Sequence, residues 1–228
     1  VEARLRAEGL SCRVVCGMLY GRPSIENGME ELVRAGCTHI LLFPMFPQYS
    51  SATNPAIEDA AVAALKGHAL QTILRVAKPF FKAVPYIEAT AENLNRFLSR
   101  LPRPPQKLLL SYHGLPQSFV QEGDLYCSMC AQTTALLLPR LNFPAERVLH
   151  CYQSRFGAGK WVAPFTDETV RQLAHTGIKS IAVACPGFLV DCVETLYEIR
   201  IELAQLFRDE GGKEFEAVPC LNDDEVWL

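Results

Sequence analysis

Short, almost continuously apolar runs recur along this chain with helix-length stretches between them. HILLF (39–43) and KLLLSY (107–112) lack the in–out alternation of a half-exposed strand. Strands buried on both faces read this way, and parallel sheets bury both faces. Strands are expected at Arg13–Met18, Thr38–Phe43, Thr72–Ala77, Lys107–Tyr112, Arg147–Cys151, Lys179–Cys185 and Phe215–Pro219. Helices fit between them. Ser24 caps one that runs to about Arg34 and stops at Gly36; Asn54-Pro55 opens another that ends at Gly67. Thr166-Asp167 starts a third, ended by Gly177, and the longest spans Asp191 to about Arg208. Strand–helix–strand repetition of this kind is α/β layering with right-handed crossovers. Three prolines within Pro102–Pro105 continue neither a helix nor a central strand, so a linker is expected at Arg100–Pro105.

Composition removes several classes. The chain has 228 residues, 49% hydrophobic and 21% charged, which suits packed cores rather than disorder. No apolar run approaches the ~18 residues of a membrane-spanning helix. A net charge of -3 argues against a nucleic-acid groove. Nine cysteines, an odd number without a signal peptide, fit free thiols in a reducing cytosol. VEARLRAEGL reads as the middle or end of a helix, so a preceding segment is expected.

Chemistry-bearing residues gather where strands end, and ligands of open α/β sheets bind beyond the carboxyl ends of strands. LSYHGLP (110–116) carries His113 out of an apolar strand, where an imidazole can take protons or bind metal. CPGFLVDCVETLYE (185–198) places Asp191, Glu194 and Glu198 on one face of a helix. Asp191-x-x-Glu194 also has capping-box spacing, so a cap competes with a carboxylate line for protons or hard cations. FPMFPQYSSAT (43–53) mixes aromatic and polar groups suited to a flat ligand. YQSRFGAGKW (152–161) offers Arg155, Lys160 and Trp161 to an anionic aromatic molecule, while matching no nucleotide-binding fingerprint. Cys127-Ser-Met-Cys130 is half a metal or cluster site, a redox pair, or two packed thiols.

Taken in order, MLYGRPS, FPMFPQYSSAT, LSYHGLP, EGDLY, YQSRFG, PFTDETV and CPGFLVDCVETLYEI resemble the ferrochelatase family, over about Val14 to Asn222. The resemblance implies an α/β protein of two Rossmann-like open parallel-sheet domains with the active-site cleft between them, the chelatase fold. The corresponding domains are 1–104, incomplete at its start, and 105–214, with a tail at 215–228 returning to the first. It implies insertion of Fe2+ into protoporphyrin IX, the terminal step of haem synthesis. His113 and Glu194 fall on the family's central catalytic and metal-handling pair. Asp191 and Glu198 fall on its proton or metal relay. Tyr20, Phe46, Tyr49, Ser50, Trp161 and Phe188 fall on its porphyrin-contacting positions. Ser51 stands where animal members carry a cluster cysteine, leaving Cys127, Cys130 and Cys151 as internal ligand candidates for a [2Fe-2S] cluster. The partners implied are porphyrin and ferrous iron, with no nucleic acid. The location implied is the cytoplasm, with peripheral contact at the inner membrane for an apolar substrate. Rival expectations are a related chelatase acting on coproporphyrin or another tetrapyrrole, and a non-catalytic tetrapyrrole or metal carrier on the same fold.

Overall fold

A computed structural model describes residues 1–67 and 72–227. The chain divides into two compact units, one of Val1–Met45 with Ser50–Pro79, the other of Phe46–Tyr49 with Phe80–Trp227. The proline-rich Arg100–Pro105 segment lies inside the second unit, where it turns the chain from a helix into the central strand.

The first unit holds α1 (Glu2–Ala7), α2 (Ile25–Arg34), β1 (His39–Leu42), α3 (Asn54–Ala64) and β2 (Ile73–Val76). Ser24 caps α2 as expected. Its hydroxyl accepts from the Asn27 amide at 3.1 Å, and the Asn27 side chain accepts from the Ser24 amide, closing a capping box. Gly36 follows at φ +76°, a left-handed conformation that stops the helix cheaply. β1 and β2 form a two-stranded parallel sheet with His39 opposite Ile73. Ile40 packs with Ile25, Met29, Leu32 and Ala61 of α2 and α3. The strand expected at Arg13–Met18 forms no ladder; a single bridge joins Met18 to Ser24 across a turn. An apolar run becomes a strand only where a neighbour takes its backbone bonds, and among the described residues none does so here.

The second unit contains α4 (Val84–Ser99), β3 (Lys107–His113), α5 (Gln117–Gln121), α6 (Tyr126–Leu137), β4 (Val148–Gln153), α7 (Thr166–His175) and β5 (Ser180–Ala184). A π-helix (Glu194–Leu203), α8 (Ala204–Asp209) and β6 (Glu214–Ala217) complete it. The sheet is parallel throughout in the order β4-β3-β5-β6. β3 lies in the interior of the sheet and Leu108 through Tyr112 are buried, which accounts for the unbroken KLLLSY run. Alternate residues serve opposite faces. Leu108, Leu110 and Tyr112 pack with residues of α4 and α6, while Leu109 packs with Val170 of α7 and Phe207 of α8. The final segment runs back over α4: the Asn93 amide donates to the Pro219 carbonyl, Arg96 pairs with Asp224, and Trp227 stacks near Phe80. No helix among the described residues is long and apolar enough to cross a membrane.

Candidate active site

His113 is the last residue of β3, in register with Gln153, the last residue of β4. The half-buried imidazole meets the carbonyl of Gly114 through Nδ1 at 2.7 Å. A carbonyl only accepts, so Nδ1 carries the hydrogen, and in the neutral ring Nε2 keeps its lone pair. The Phe188 ring lies 6.4 Å away, centroid to centroid, at 45°. Gly114 admits no side chain: a Cβ there would sit 2.8 Å from the Gln153 carbonyl and 3.2 Å from the Trp161 ring. Trp161, buried, bridges to Pro116 in antiparallel fashion beside this turn.

The helix expected from Asp191 takes another form. Residues Glu194–Leu203 wind as a π-helix, whose i→i+5 bonds put more than four residues in a turn, before the chain tightens into α8. Asp191 precedes it and is not on its face. Its carboxylate accepts from Thr195 Oγ1 at 2.9 Å and Asn222 Nδ2 at 2.8 Å, while Asn222 Oδ1 accepts from the Asp191 amide at 2.9 Å. Burial raises the Asp191 carboxyl, but the bonds from Asn222, Thr195 and Cys220 outweigh it and leave the group below its usual range. The Asp191–Glu194 capping box does not form. Thr195 Oγ1 takes the Cys192 amide at 3.0 Å in its place.

Glu198 meets the end of β4 through its carboxylate, and Glu194 through its main-chain carbonyl. Gln153 Nε2 reaches the Glu194 carbonyl and Glu198 Oε2, each at 3.4 Å. Glu198 also accepts from the Ser154 amide at 2.7 Å and the Ser154 hydroxyl at 2.5 Å. Gln153, Ser154 and Asn222 were not anticipated as site residues. The only signal for them was polar residues at the very end of an apolar strand, in QS, and after another, in LN.

A cleft of about 650 Å³ opens beside Trp161, lined by Gln117, Phe156, Lys160 and Phe165 among others. Arg155, expected there as an anion clamp, lies against the Phe165 ring at 3.9 Å and pairs with Asp167 at 3.0 Å and Glu168 at 2.9 Å. Tyr49 is half-buried and Phe46 exposed. Ser50 is buried in the turn before α3, its hydroxyl accepting from the Ala52 amide at 3.2 Å. Tyr20 is 89% exposed within the first unit.

The three cysteines named as cluster candidates do not fit a [2Fe-2S] centre. Cys127 and Cys130 sit on α6 among residues packed on one face of the four-stranded sheet, and Cys151 packs on the opposite face with Val170 and Ile181. Burial pushes all three thiols up, Cys151 to about 11, whereas a cluster binds thiolates. Among the described residues no group of three His, Cys, Asp or Glu side chains stands close enough to hold a metal.

Over residues 1–228 the chain matches the family described as Ferrochelatase. The chain belongs to the ferrochelatase family. It is 43% identical over 208 residues to the ferrochelatase of Bradyrhizobium diazoefficiens, covering 91% of this chain and 60% of that protein. To the ferrochelatase of Rhizobium meliloti it is 44% identical over 206 residues, 90% of this chain and 61% of that one. It thus spans about three-fifths of the length of the curated relatives it matches. Among solved structures, SirB from Bacillus subtilis with Fe3+ matches with a TM-score of 0.66 at 17% identity, over 99% of this chain and 83% of that one. A sirohydrochlorin chelatase, SirB of Bacillus subtilis subspecies spizizenii in complex with cobalt, matches with a TM-score of 0.62 at 15% identity, over 99% and 80% of the two chains. At such identities these two bear on the fold alone, α/β with parallel sheets.

Proposed function

We propose that the protein inserts Fe2+ into protoporphyrin IX to make haem. The observation that supports this is His113, with a free Nε2 lone pair, at the end of β3 in register with Gln153 of β4, the strand end that holds the Glu198 carboxylate and the main chain of Glu194. Metallation exchanges two pyrrole protons for one Fe2+, so two protons must leave the macrocycle. Neutral His113 accepts one at Nε2, and its Nδ1–H, bonded to the Gly114 carbonyl, holds the ring in the tautomer that can do so. Glu194 takes the second and passes it along the helix face to Glu198, or exchanges a hydrated Fe2+ for it. Carboxylate oxygens and an imidazole nitrogen both ligate ferrous iron. Asp191, tied to Asn222, supports the first turn of the π-helix. Trp161, Phe188, Phe46, Tyr49, Tyr20 and Ser50 are assigned to porphyrin contact. Binding energy from the periphery of the ring drives its distortion, which exposes the pyrrole lone pairs. The reaction belongs in the cytoplasm, with the apolar substrate and product exchanged at a membrane surface.

The test is anaerobic metallation of protoporphyrin by the full-length protein, read as conversion of the free-base absorption spectrum to that of the metalloporphyrin. Turnover by wild type, with His113→Ala and Glu194→Ala each losing at least about a hundredfold, supports the assignment. Porphyrin binding without turnover replaces it with a carrier function. Faster turnover of coproporphyrin reassigns the substrate.

A further inference from the structure

We infer that the end of β4, Gln153-Ser154, is a positioning device that fixes the Glu198 carboxylate and the first turn of the π-helix, at the Glu194 carbonyl, relative to the His113 loop. This deepens the proposed function and rests on it.

Gln153 is 4% exposed, and its amide is used on both sides. Oε1 accepts from Ser111 Oγ at 2.7 Å and from the Cys185 thiol at 3.3 Å. Nε2 donates to the Glu194 carbonyl and to Glu198. Ser111 Oγ also lies 2.8 Å from Thr166 Oγ1; since the Ser111 proton goes to Gln153, Thr166 donates to Ser111. The amide therefore cannot flip without losing partners on both sides. Through its main chain the same residue reaches the other half of the site. The Gln153 carbonyl accepts from the Gly114 amide at 2.7 Å, and Gly114 is the residue whose own carbonyl orients His113. One buried side chain and its carbonyl thus join the histidine loop to the helix that carries the acids.

Ser154 completes the device. Its backbone is left-handed, φ +62°, a conformation that is strained for a residue with a Cβ and that glycine adopts freely. That turn aims the backbone N–H and the hydroxyl at the two oxygens of one carboxylate, Glu198 Oε1 and Oε2. Two donors on an ionised acceptor are among the stronger hydrogen bonds available. Glycine would remove the strain and keep the N–H, and it lacks only the hydroxyl. The strain at this position therefore points to the hydroxyl as the group in use. Arg155, next in the chain, is held elsewhere, against Phe165 and paired with Asp167 and Glu168, so the turn is fixed from both sides.

Ser154→Gly, Ser154→Ala and Gln153→Glu separate this from a simple structural role, in the full-length protein with anaerobic metallation kinetics, thermal unfolding and hydrogen exchange. Ser154→Gly is expected to melt at or above the wild-type temperature while kcat falls at least about tenfold with porphyrin KM within about twofold. Ser154→Ala loses the same activity. Gln153→Glu, which turns a carboxylate oxygen toward Glu198 and the Glu194 carbonyl, loses more. Wild-type kcat in Ser154→Gly, with loss only in Ser154→Ala, overturns the inference, since strain alone then explains the site. If wild type metallates no porphyrin, the proposed function fails and the catalytic half of the inference fails with it. Exchange of the Leu196–Leu203 amides then decides the clamp: faster in Ser154→Gly with the rest of the protein unchanged sustains it, and no change removes it.

Discussion

The two sheets start from nearly the same kind of sequence and end in different surroundings. HILLF and KLLLSY are both unbroken apolar runs. In β3 every residue from Leu108 to Tyr112 is buried, because α4 and α6 cover one face and α7 and α8 the other. In β1 the face turned to α2 and α3 is covered, while on the opposite face Leu41 is 65% exposed and Ile73 of β2 is 52% exposed. The burial that gives a parallel strand its signature comes from the layers above and below it. An apolar run therefore marks a strand, and only the count of covering helices tells how much that strand contributes to stability.

The sharpest break of this comparison is a pair of matched truncations. Leu110→Ala, in the covered sheet, should cost about 3–4 kcal/mol in urea unfolding. The companion Leu41→Ala should stay within about 0.5 kcal/mol, and a cost like that of Leu110 would mean β1 is covered on both faces. Next in size is Gly114→Ala, expected at about 2 kcal/mol, because the new Cβ meets the Gln153 carbonyl and the Trp161 ring. It should also cut metallation, since the residue that orients His113 must shift.

A smaller effect lies within the covered sheet. His150 on β4 stacks against Tyr112 at 4.9 Å, its Nδ1 lies 2.8 Å from Thr134 Oγ1, and its Nε2 is buried with no partner. Burial pushes this imidazole down to about 4 from its usual 6.5. The folded protein thus binds fewer protons than the unfolded chain, so stability falls as pH drops from about 6.5 toward 4. After allowance for partial solvent screening the loss is roughly 2 kcal/mol. Unfolding free energies of wild type and His150→Leu at pH 7 and pH 4.5 check it: the gap between the two pH values should narrow in the variant. Smaller still is Asp191→Asn. The bonds that lower the Asp191 carboxyl contribute stability present above its usual pKa and lost below it, so the variant should differ from wild type at neutral pH and converge with it in acid.

Much of this arrangement was legible beforehand. The apolar runs marked β1 and β3, Ser24 and Gly36 bounded α2, and SYHG at the end of a buried strand marked His113. What escaped depends on partners distant in sequence. The i, i+3 and i+4 spacing of Asp191, Glu194 and Glu198 assumes 3.6 residues per turn, and nothing in ETLYEIRIEL announces the wider π winding. Asp191 is claimed by Asn222, thirty-one residues away. Gln153 and Ser154 read as the start of a loop, because their value comes from Glu198, on another element. Cys127, Cys130 and Cys151 looked like a pool of ligands until strand alternation put Cys151 on the far face of the sheet.

In the function proposed, His113 and Glu194, with Glu198 held by β4, act as one proton- and metal-handling site. Its most direct measurement is anaerobic metallation of protoporphyrin by wild type, His113→Ala, Glu194→Ala and the double variant. If the two act as a unit, the double variant is little worse than either single one, with all three at least about a hundredfold below wild type. Losses that multiply would show two independent contributions, and single variants close to wild type would remove the site from the reaction.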